Sequence, residues 1–277
     1  MTVDENDYHW GGLASAPGPA ASRRGQLACN AMSQDPVELT RGLMSQTAEL
    51  RHGFLDVLGE STSAPVPTVA QRAMNSPFVA TVYERLWRPT AFYAASGLTH
   101  RAEQRRAASA LHLSTAGRLL DVACGPGNFT SPLAAQLPDG GLAVGFDISE
   151  SMLTRAVADN SGPRTCYVRG DARMLPFDDE TFDAVCCFGA LYLMPEPFGV
   201  AAEMVRVLQP GGRIAILTSY AREAEPLRQL MTASARTIGL TMFGRRDFVD
   251  LFSSAGLGDI EQQTQRAVQF VVAEKPG

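Results

Sequence analysis

From residue 118 onward, short apolar runs alternate with segments of helical periodicity, and this alternation restricts the possible folds more than any other feature. The apolar runs span residues 118–123, 142–147, 165–169, 183–188 and 213–218, and the helical segments lie near 129–137, 150–159, 197–208 and 222–238. Such alternation is typical of crossover units on a mostly parallel sheet. The final stretch, "GLGDIEQQTQRAVQFVVAEKPG", adds two candidate strands. We therefore predict an α/β, doubly wound, Rossmann-like sheet of seven mostly parallel strands, with the last strand antiparallel in an edge hairpin.

The N-terminal part of the chain has a different composition. Residues 1–28 are rich in Ala, Gly, Ser and Pro and contain few large apolar residues that could offset the entropy of ordering. We predict a disordered leader there. Residues 35–59 contain apolar positions at roughly helical spacing, interrupted by two glycines, so helices and a small irregular cap are both open. We predict an N-terminal helical cap at residues 29–72 and the main domain at residues 73–277.

Charge and composition exclude several classes of protein. The formal net charge of −5 argues against a protein that mainly coats nucleic acid, because such binding depends on clustered Lys and Arg. The first residues, "MTVDENDYHWGG", lack the apolar core of a signal peptide, and no apolar run approaches the ~20 residues of a membrane span. The cysteines form no pair of CxxC units and are odd in number, which predicts neither a disulfide framework nor a metal site. We expect a cytoplasmic protein with reduced thiols.

A glycine-rich turn follows the first apolar run of the main domain. The stretch "LLDVACGPGNFT" places Gly125 and Gly127 after the strand and Asn128 at a candidate helix N-cap. Glycines at this position bring bare backbone close to a ligand and leave N–H groups available at the helix start. Many α/β turns contain glycine for structural reasons alone, so this turn by itself leaves both interpretations open.

Two acidic residues at later strand ends favour a nucleoside ligand. Asp147 lies 20 residues after Gly127, where a doubly wound sheet places a carboxylate over a bound ribose, although a simple N-cap is the alternative. Thr130 replaces the third glycine that a dinucleotide fingerprint requires beside a pyrophosphate. Asp171 ends the third strand, where its carboxylate can accept from an adenine amino group while the Ala172 N–H faces a ring nitrogen.

Four stretches in this order and spacing resemble the successive motifs of class I S-adenosylmethionine-dependent methyltransferases, in the methyltransferase type 11 group near the ubiquinone and menaquinone methyltransferases. The stretches are "LLDVACGPGNFT", "VGFDISESML", "VRGDARMLPFDDETFDAV" and "EMVRVLQPGGRIAI". The resemblance covers about residues 115–275. It implies that the main domain binds S-adenosyl-L-methionine and releases S-adenosyl-L-homocysteine.

The resemblance also implies a role for individual residues. The Asp121 region and the Gly125–Gly127 turn would lie along the methionine part of the cofactor, with Ala123 at the position of the family's first glycine. Asp147 would bind the ribose hydroxyls. The remaining expected cofactor contacts are Asn128 in the turn, Ile148 and Met152 near the adenine, Asp171 and Ala172 at the adenine edge, and Phe188 and Gly189 beside the sulfonium.

The segment upstream of the main domain has a more distant resemblance. The stretches "RHGFLDVLG" and "NSPFVATVYERLWRP" are similar to bacterial and plant methyltransferases of poorly defined substrate, which carry an N-terminal zinc ribbon, as the ribosomal-RNA guanine methyltransferases also do. In those proteins the ribbon begins with a CPxC unit, but here "CNAM" places Cys29 at the first ligand position and Met32 at the second. We therefore interpret this segment as a degenerate ribbon-like extension and expect no metal.

Few residues are candidates for catalysis or acceptor binding. The family often has paired histidines after the fourth strand, where this chain has Tyr192 and Leu193. Tyr192 can orient or deprotonate an acceptor, or it can simply pack on the pocket floor. Tyr83, Trp87 and Tyr93 lie in the helices before the sheet, where they can either stack on a planar or prenylated acceptor or belong to the core.

These observations lead to one functional hypothesis and two alternatives. The hypothesis is in-line methyl transfer to a small apolar or aromatic acceptor of the quinone, lipid or secondary-metabolite type. One alternative is methylation of an RNA base, and the other is a noncatalytic or non-methylating descendant that still binds the cofactor. The expected partner is a small molecule, without nucleic acid or a membrane span; the oligomeric state stays open, with a homo-oligomer as one option.

Overall fold

The computed structural model describes residues 35–59, 99–221 and 239–277. Nine strands in these residues form a single sheet. They are β1 (Glu49–Arg51), β2 (Phe54–Asp56), β3 (Arg118–Val122), β4 (Leu142–Asp147), β5 (Thr165–Arg169), β6 (Phe182–Phe188), β7 (Leu208–Ser219), β8 (Gly258–Gln265) and β9 (Val268–Glu274). The helices are α1 (Pro36–Arg41), α2 (His100–Ala110), α3 (Thr130–Ala134), α4 (Glu150–Asn160), α5 (Pro197–Arg206) and α6 (Asp247–Ser254), with a short 3₁₀ helix at Leu191–Leu193.

The strand order confirms the predicted doubly wound sheet. The order is β1-β2-β5-β4-β3-β6-β7-β9-β8, and β3 to β7 pair in parallel. The last strand, β9, runs antiparallel between β7 and β8, so the C-terminal stretch forms the expected hairpin at the sheet edge. The predicted helix at 222–238 lies outside the described residues.

The sheet has two strands more than the seven that the sequence predicts. Strand β2 pairs in parallel with β5, with Leu55 opposite Val168, and β1 adds an antiparallel edge. His52 and Gly53 both have positive φ, which turns the chain between β1 and β2. A Cβ on Gly53 would lie 2.7 Å from Cγ1 of Val157 in α4, so the turn packs closely against that helix. Within residues 35–59 the expected helical cap is therefore wrong: one short helix is followed by a hairpin that extends the sheet.

Helices cover both faces of the sheet because the strand side chains alternate in direction. In β7, Ile214 and Ile216 join the apolar cluster that includes Phe248 of α6. Ala215 and Leu217 face the opposite cluster, which contains residues of α2 and α3. None of the helices in the described part of the chain has the length and apolar character needed to traverse a bilayer.

Candidate functional site

The carboxyl ends of β3, β4, β5 and β6 lie along one edge of the sheet. Val122 is opposite Phe146 and Asp147 is opposite Arg169, so these strands end at nearly the same level. The predicted cofactor residues follow these strand ends directly. The structure therefore brings to one edge the glycine turn, Asp147 with Ile148, Asp171 with Ala172, and Phe188 with Gly189.

The turn after β3 has three residues in the left-handed backbone region. The φ angles are +57° at Ala123, +56° at Gly125 and +78° at Gly127. The Gly127 N–H donates to the carbonyl of Cys124 at 3.1 Å, which closes the turn. Glycine adopts this region without strain, whereas alanine does not. The family's first glycine is thus replaced here by a residue held in a strained conformation.

The two glycines of the turn have different surroundings. A Cβ on Gly127 would lie 2.4 Å from the Tyr167 hydroxyl, which donates to the carbonyl of Asn160 at 2.8 Å. Among the described residues, no atom would lie within 4 Å of a Cβ on Gly125. Gly127 is therefore required by packing beneath the turn, while Gly125 leaves open space beside the strand edge that a ligand can occupy.

Asn128 does not cap the following helix, so that prediction is wrong. The N-cap of α3 is Phe129, which makes no side-chain capping hydrogen bond. Instead, Asn128 Oδ1 accepts from Nδ2 of Asn160 at 3.3 Å, and its carbonyl accepts from Nε2 of Gln104 at 2.9 Å. Asn160 Nδ2 also donates to the carbonyl of Pro126 at 2.7 Å. These contacts fasten the glycine turn to α4 and α2.

Asp147 is linked to the turn through backbone N–H groups. Its Oδ2 accepts from Gly125 at 2.9 Å and its Oδ1 from Ser149 at 2.8 Å. The N-cap of α4 is Ser149, whose hydroxyl accepts from the Met152 N–H at 3.4 Å, so the capping alternative for Asp147 is wrong. A carboxylate offers about four acceptor sites. The two backbone donors fix the orientation of the Asp147 carboxylate at the end of β4.

Asp121 supports the turn from below. Only 2% of this residue is exposed, and its Oδ2 accepts from the Thr130 hydroxyl at 2.7 Å. Cys186 Sγ donates to Oδ1 at 3.6 Å. Burial raises the pKa of the Cys186 thiol, which keeps it protonated as a donor. Thr130, at the position of the missing third glycine, thus binds a buried carboxylate beneath the start of α3.

Asp171 is held by an arginine that the sequence analysis missed. Its Oδ1 accepts from the Arg173 N–H at 2.9 Å, and its Oδ2 accepts from Arg173 Nη2 at 2.6 Å. Hydrogen bonds from the Arg173 side chain lower the pKa of Asp171, despite the opposing effect of burial. The carboxylate is consequently ionised and fixed in orientation. An Asp-x-Arg pattern directly after a strand was the only signal for this pair in the sequence.

The expected contacts near the sulfonium and the adenine are mostly buried. Phe188 packs its ring 5.1 Å from that of Phe129, and the Gly189 N–H donates to the Leu217 carbonyl at 2.8 Å. Both residues lie at the end of β6, as predicted. The other predicted contacts are the buried Met152 and the half-buried Ile148 and Ala172.

Tyr192 lies in the 3₁₀ helix after β6. It is half-buried against the core cluster that contains Leu191, and its carbonyl accepts from the Thr241 N–H at 2.8 Å. The predicted acceptor residues Tyr83, Trp87 and Tyr93 lie outside the described residues. Within the part of the chain that the structure describes, no cluster of three or more His, Cys, Asp or Glu residues is arranged to hold a metal ion.

The strained Ala123 gives a testable prediction. Ala123→Gly removes a left-handed strain of about 1–2 kcal/mol and loses about 0.4–1 kcal/mol through the greater freedom of the unfolded chain. We therefore expect the free energy of unfolding in urea to rise by about 0–1.6 kcal/mol. The control is Ala215→Gly in β7, where φ is not positive and the same change must destabilise. Equal destabilisation of both variants would contradict strain at residue 123.

Comparison with known proteins connects this geometry with a family. Residues 120–216 match the family model described as a methyltransferase domain. A demethylmenaquinone methyltransferase from Roseiflexus castenholzii is 41% identical over 111 residues, covering 40% of this chain and 46% of the relative. An uncharacterised chloroplast methyltransferase from Arabidopsis thaliana is 30% identical over 224 residues, covering 76% of this chain and 62% of the relative. The chain thus spans about half to two thirds of the length of these curated relatives.

A solved structure shows the same fold. The phosphoethanolamine N-methyltransferase 2 of Haemonchus contortus, in complex with phosphomonomethylethanolamine and S-adenosylhomocysteine, aligns with a TM-score of 0.61 and 16% sequence identity. The alignment covers 77% of this chain and 62% of that one. The described part of the chain therefore shares its doubly wound sheet with that methyltransferase.

Proposed function

We propose that the protein transfers a methyl group from S-adenosylmethionine to a small acceptor, because residues 120–216 match the methyltransferase-domain family model. The observation that best supports the proposal is the arrangement of Asp147 at the ends of the parallel strands. The backbone N–H groups of Gly125 and Ser149 orient its two carboxylate oxygens. The glycine turn and Asp171 lie at the same edge of the sheet, and all of these residues fall within the part of the chain that matches the family model. A nucleoside with two ribose hydroxyls and an exocyclic amino group matches these acceptors.

The residues at this edge fit the cofactor. Asp147 would accept from the ribose hydroxyls, and Asp171 would accept from the adenine amino group while the Ala172 N–H would face the ring. The space beside Gly125 would accommodate the methionine part, since a Cβ there would meet no atom of the described residues within 4 Å. Phe188 and Gly189 would border the sulfonium. Bound S-adenosylmethionine supplies an activated methyl group, so the chain mainly has to hold it and align the acceptor.

The protein contributes to the rate chiefly by positioning. Fixing an acceptor in line with the methyl group can lower the barrier by up to about 7–11 kcal/mol. A general base adds about 10²- to 10⁴-fold and is needed only for an acceptor that arrives protonated. Tyr192, in the 3₁₀ helix after β6, is our candidate for orienting the acceptor.

We propose an apolar or aromatic acceptor such as a quinone, a lipid or a secondary metabolite. The support is the net charge of −5, which disfavours RNA, and the similarity to proteins named demethylmenaquinone methyltransferases. Tyr83, Trp87 and Tyr93 are proposed to stack on such an acceptor. We further propose that the protein acts in the cytoplasm.

The test combines binding with turnover. We expect isothermal titration to show binding of S-adenosylmethionine and S-adenosylhomocysteine, and incubation with acceptors of these classes to yield a product heavier by one methylene group. A protein that binds neither ligand would refute the proposal. Cofactor binding without turnover of any acceptor would favour the noncatalytic alternative, and salt-sensitive binding and methylation of RNA would favour the RNA alternative.

A further inference from the structure

Arg173 surrounds one side of the Asp171 carboxylate with its own donors. The Arg173 backbone N–H and Nε reach Oδ1 at 2.9 and 3.1 Å, and Nε and Nη2 reach Oδ2 at 3.1 and 2.6 Å. A side-on guanidinium and a backbone N–H from the same residue fix the plane of the carboxylate as well as its position. A lysine cannot reproduce this planar contact.

The carboxylate keeps an accessible side for a ligand. About 27% of the Asp171 side chain is exposed. A carboxylate has about four acceptor sites, and Arg173 occupies those on one flank. The remaining acceptor capacity thus points away from the guanidinium, and its direction is determined by where Arg173 holds the carboxylate plane.

The far end of Arg173 is also held in place. Its Nη1 donates to Oε1 of Glu196 at 2.9 Å, and Glu196 is the N-cap residue of α5. Glu196, at the start of α5, therefore restricts the movement of the Arg173 guanidinium. The other charged groups near this strand end are already engaged: Asp147 binds Gly125 and Ser149, and Arg169 binds Asp56 at 3.0 Å.

We propose that Arg173 is a positioning residue for the cofactor, which orients the Asp171 carboxylate so that it accepts from the adenine amino group. This inference rests on the proposed function. Arg173 does not need to touch the adenine, because its effect is transmitted through Asp171. Glu196 supports the same arrangement more weakly, since it contacts only the outer nitrogen of the guanidinium.

The experiment is a double-mutant cycle between a residue and a ligand group. Titration calorimetry measures the Kd of wild type and Arg173→Met for S-adenosylhomocysteine and for S-inosylhomocysteine, which has a carbonyl in place of the amino group. We expect Arg173→Met to weaken binding of the adenosyl ligand about tenfold, the value of one charge-assisted hydrogen bond. Binding of the inosyl ligand should change less than about twofold, because the amino group through which Arg173 acts is absent.

Three further variants define the outcome. Arg173→Lys should recover only part of the affinity, and Glu196→Gln should weaken binding less than Arg173→Met. Arg164→Met is the matched control, since Arg164 pairs with Asp139 at 3.0 Å at the opposite end of β5; it should leave both Kd values unchanged. Equal losses for the two ligands, or tighter binding by Arg173→Met, would overturn the inference alone. A wild-type protein that binds neither ligand would overturn the proposed function and this inference together.

Discussion

Asp147→Ala is expected to weaken binding of S-adenosylhomocysteine by about 100-fold, because it removes two charge-assisted hydrogen bonds to the ribose of about 1.5 kcal/mol each. The carboxylate also holds the N–H groups of Gly125 and Ser149 at 2.9 and 2.8 Å. The variant should therefore lose about 1–2 kcal/mol of folding stability as well. Titration calorimetry measures the affinity, and urea unfolding measures the stability.

The control for this prediction is Asp159→Ala. Asp159 lies in α4 with an exposed side chain, where it pairs only loosely with Arg155 at 3.9 Å. Its removal deletes one acidic charge from the helix that follows Asp147 without touching the strand edge, so we expect unchanged affinity. If Asp147→Ala folds and binds the ligand as tightly as wild type, the ribose assignment is wrong.

Gly127→Ala should destabilise the fold by about 2–5 kcal/mol and disrupt cofactor binding with it. Two effects combine: a φ of +78° strains alanine by about 1–2 kcal/mol, and overpacking adds about 1–3 kcal/mol. The overpacking arises because the new Cβ would lie 2.4 Å from the Tyr167 hydroxyl. Urea unfolding gives the loss of stability.

Two variants separate backbone strain from packing. Gly140 has a φ of +83° but nothing within 4 Å of an added Cβ, so Gly140→Ala should cost only the strain of about 1–2 kcal/mol. Tyr167→Phe removes the hydroxyl nearest to the new Cβ, so it should reduce the effect of Gly127→Ala in the double variant. Equal destabilisation by Gly127→Ala and Gly140→Ala would show that packing against Tyr167 does not matter.

The parallel sheet and the position of the site followed from local sequence patterns. Each apolar run after residue 118 became a strand, because buried parallel strands need continuous apolar sequence. Asp147 and Asp171 were recognisable because strand ends in such a sheet converge at one edge.

Contacts between distant segments were the part that the sequence could not supply. The N-cap assigned to Asn128 failed because its side chain bonds instead to Asn160, 32 residues later. The hairpin at residues 49–56 was missed because its short strands become stable only against β5 and α4. Neither outcome follows from local propensity.

By itself, the sequence determined the strands after residue 118, the glycine turn and the acidic residues at the strand ends, because periodicity and spacing along one chain specify them. Only the tertiary structure decided how those acids are oriented. Arg173 and Glu196 are 23 residues apart, yet they meet beside Asp171, and Tyr167 lies beneath Gly127. Such contacts depend on how helices and strands pack in three dimensions. The sequence pattern does not show which of several polar side chains will meet, and packing decides it.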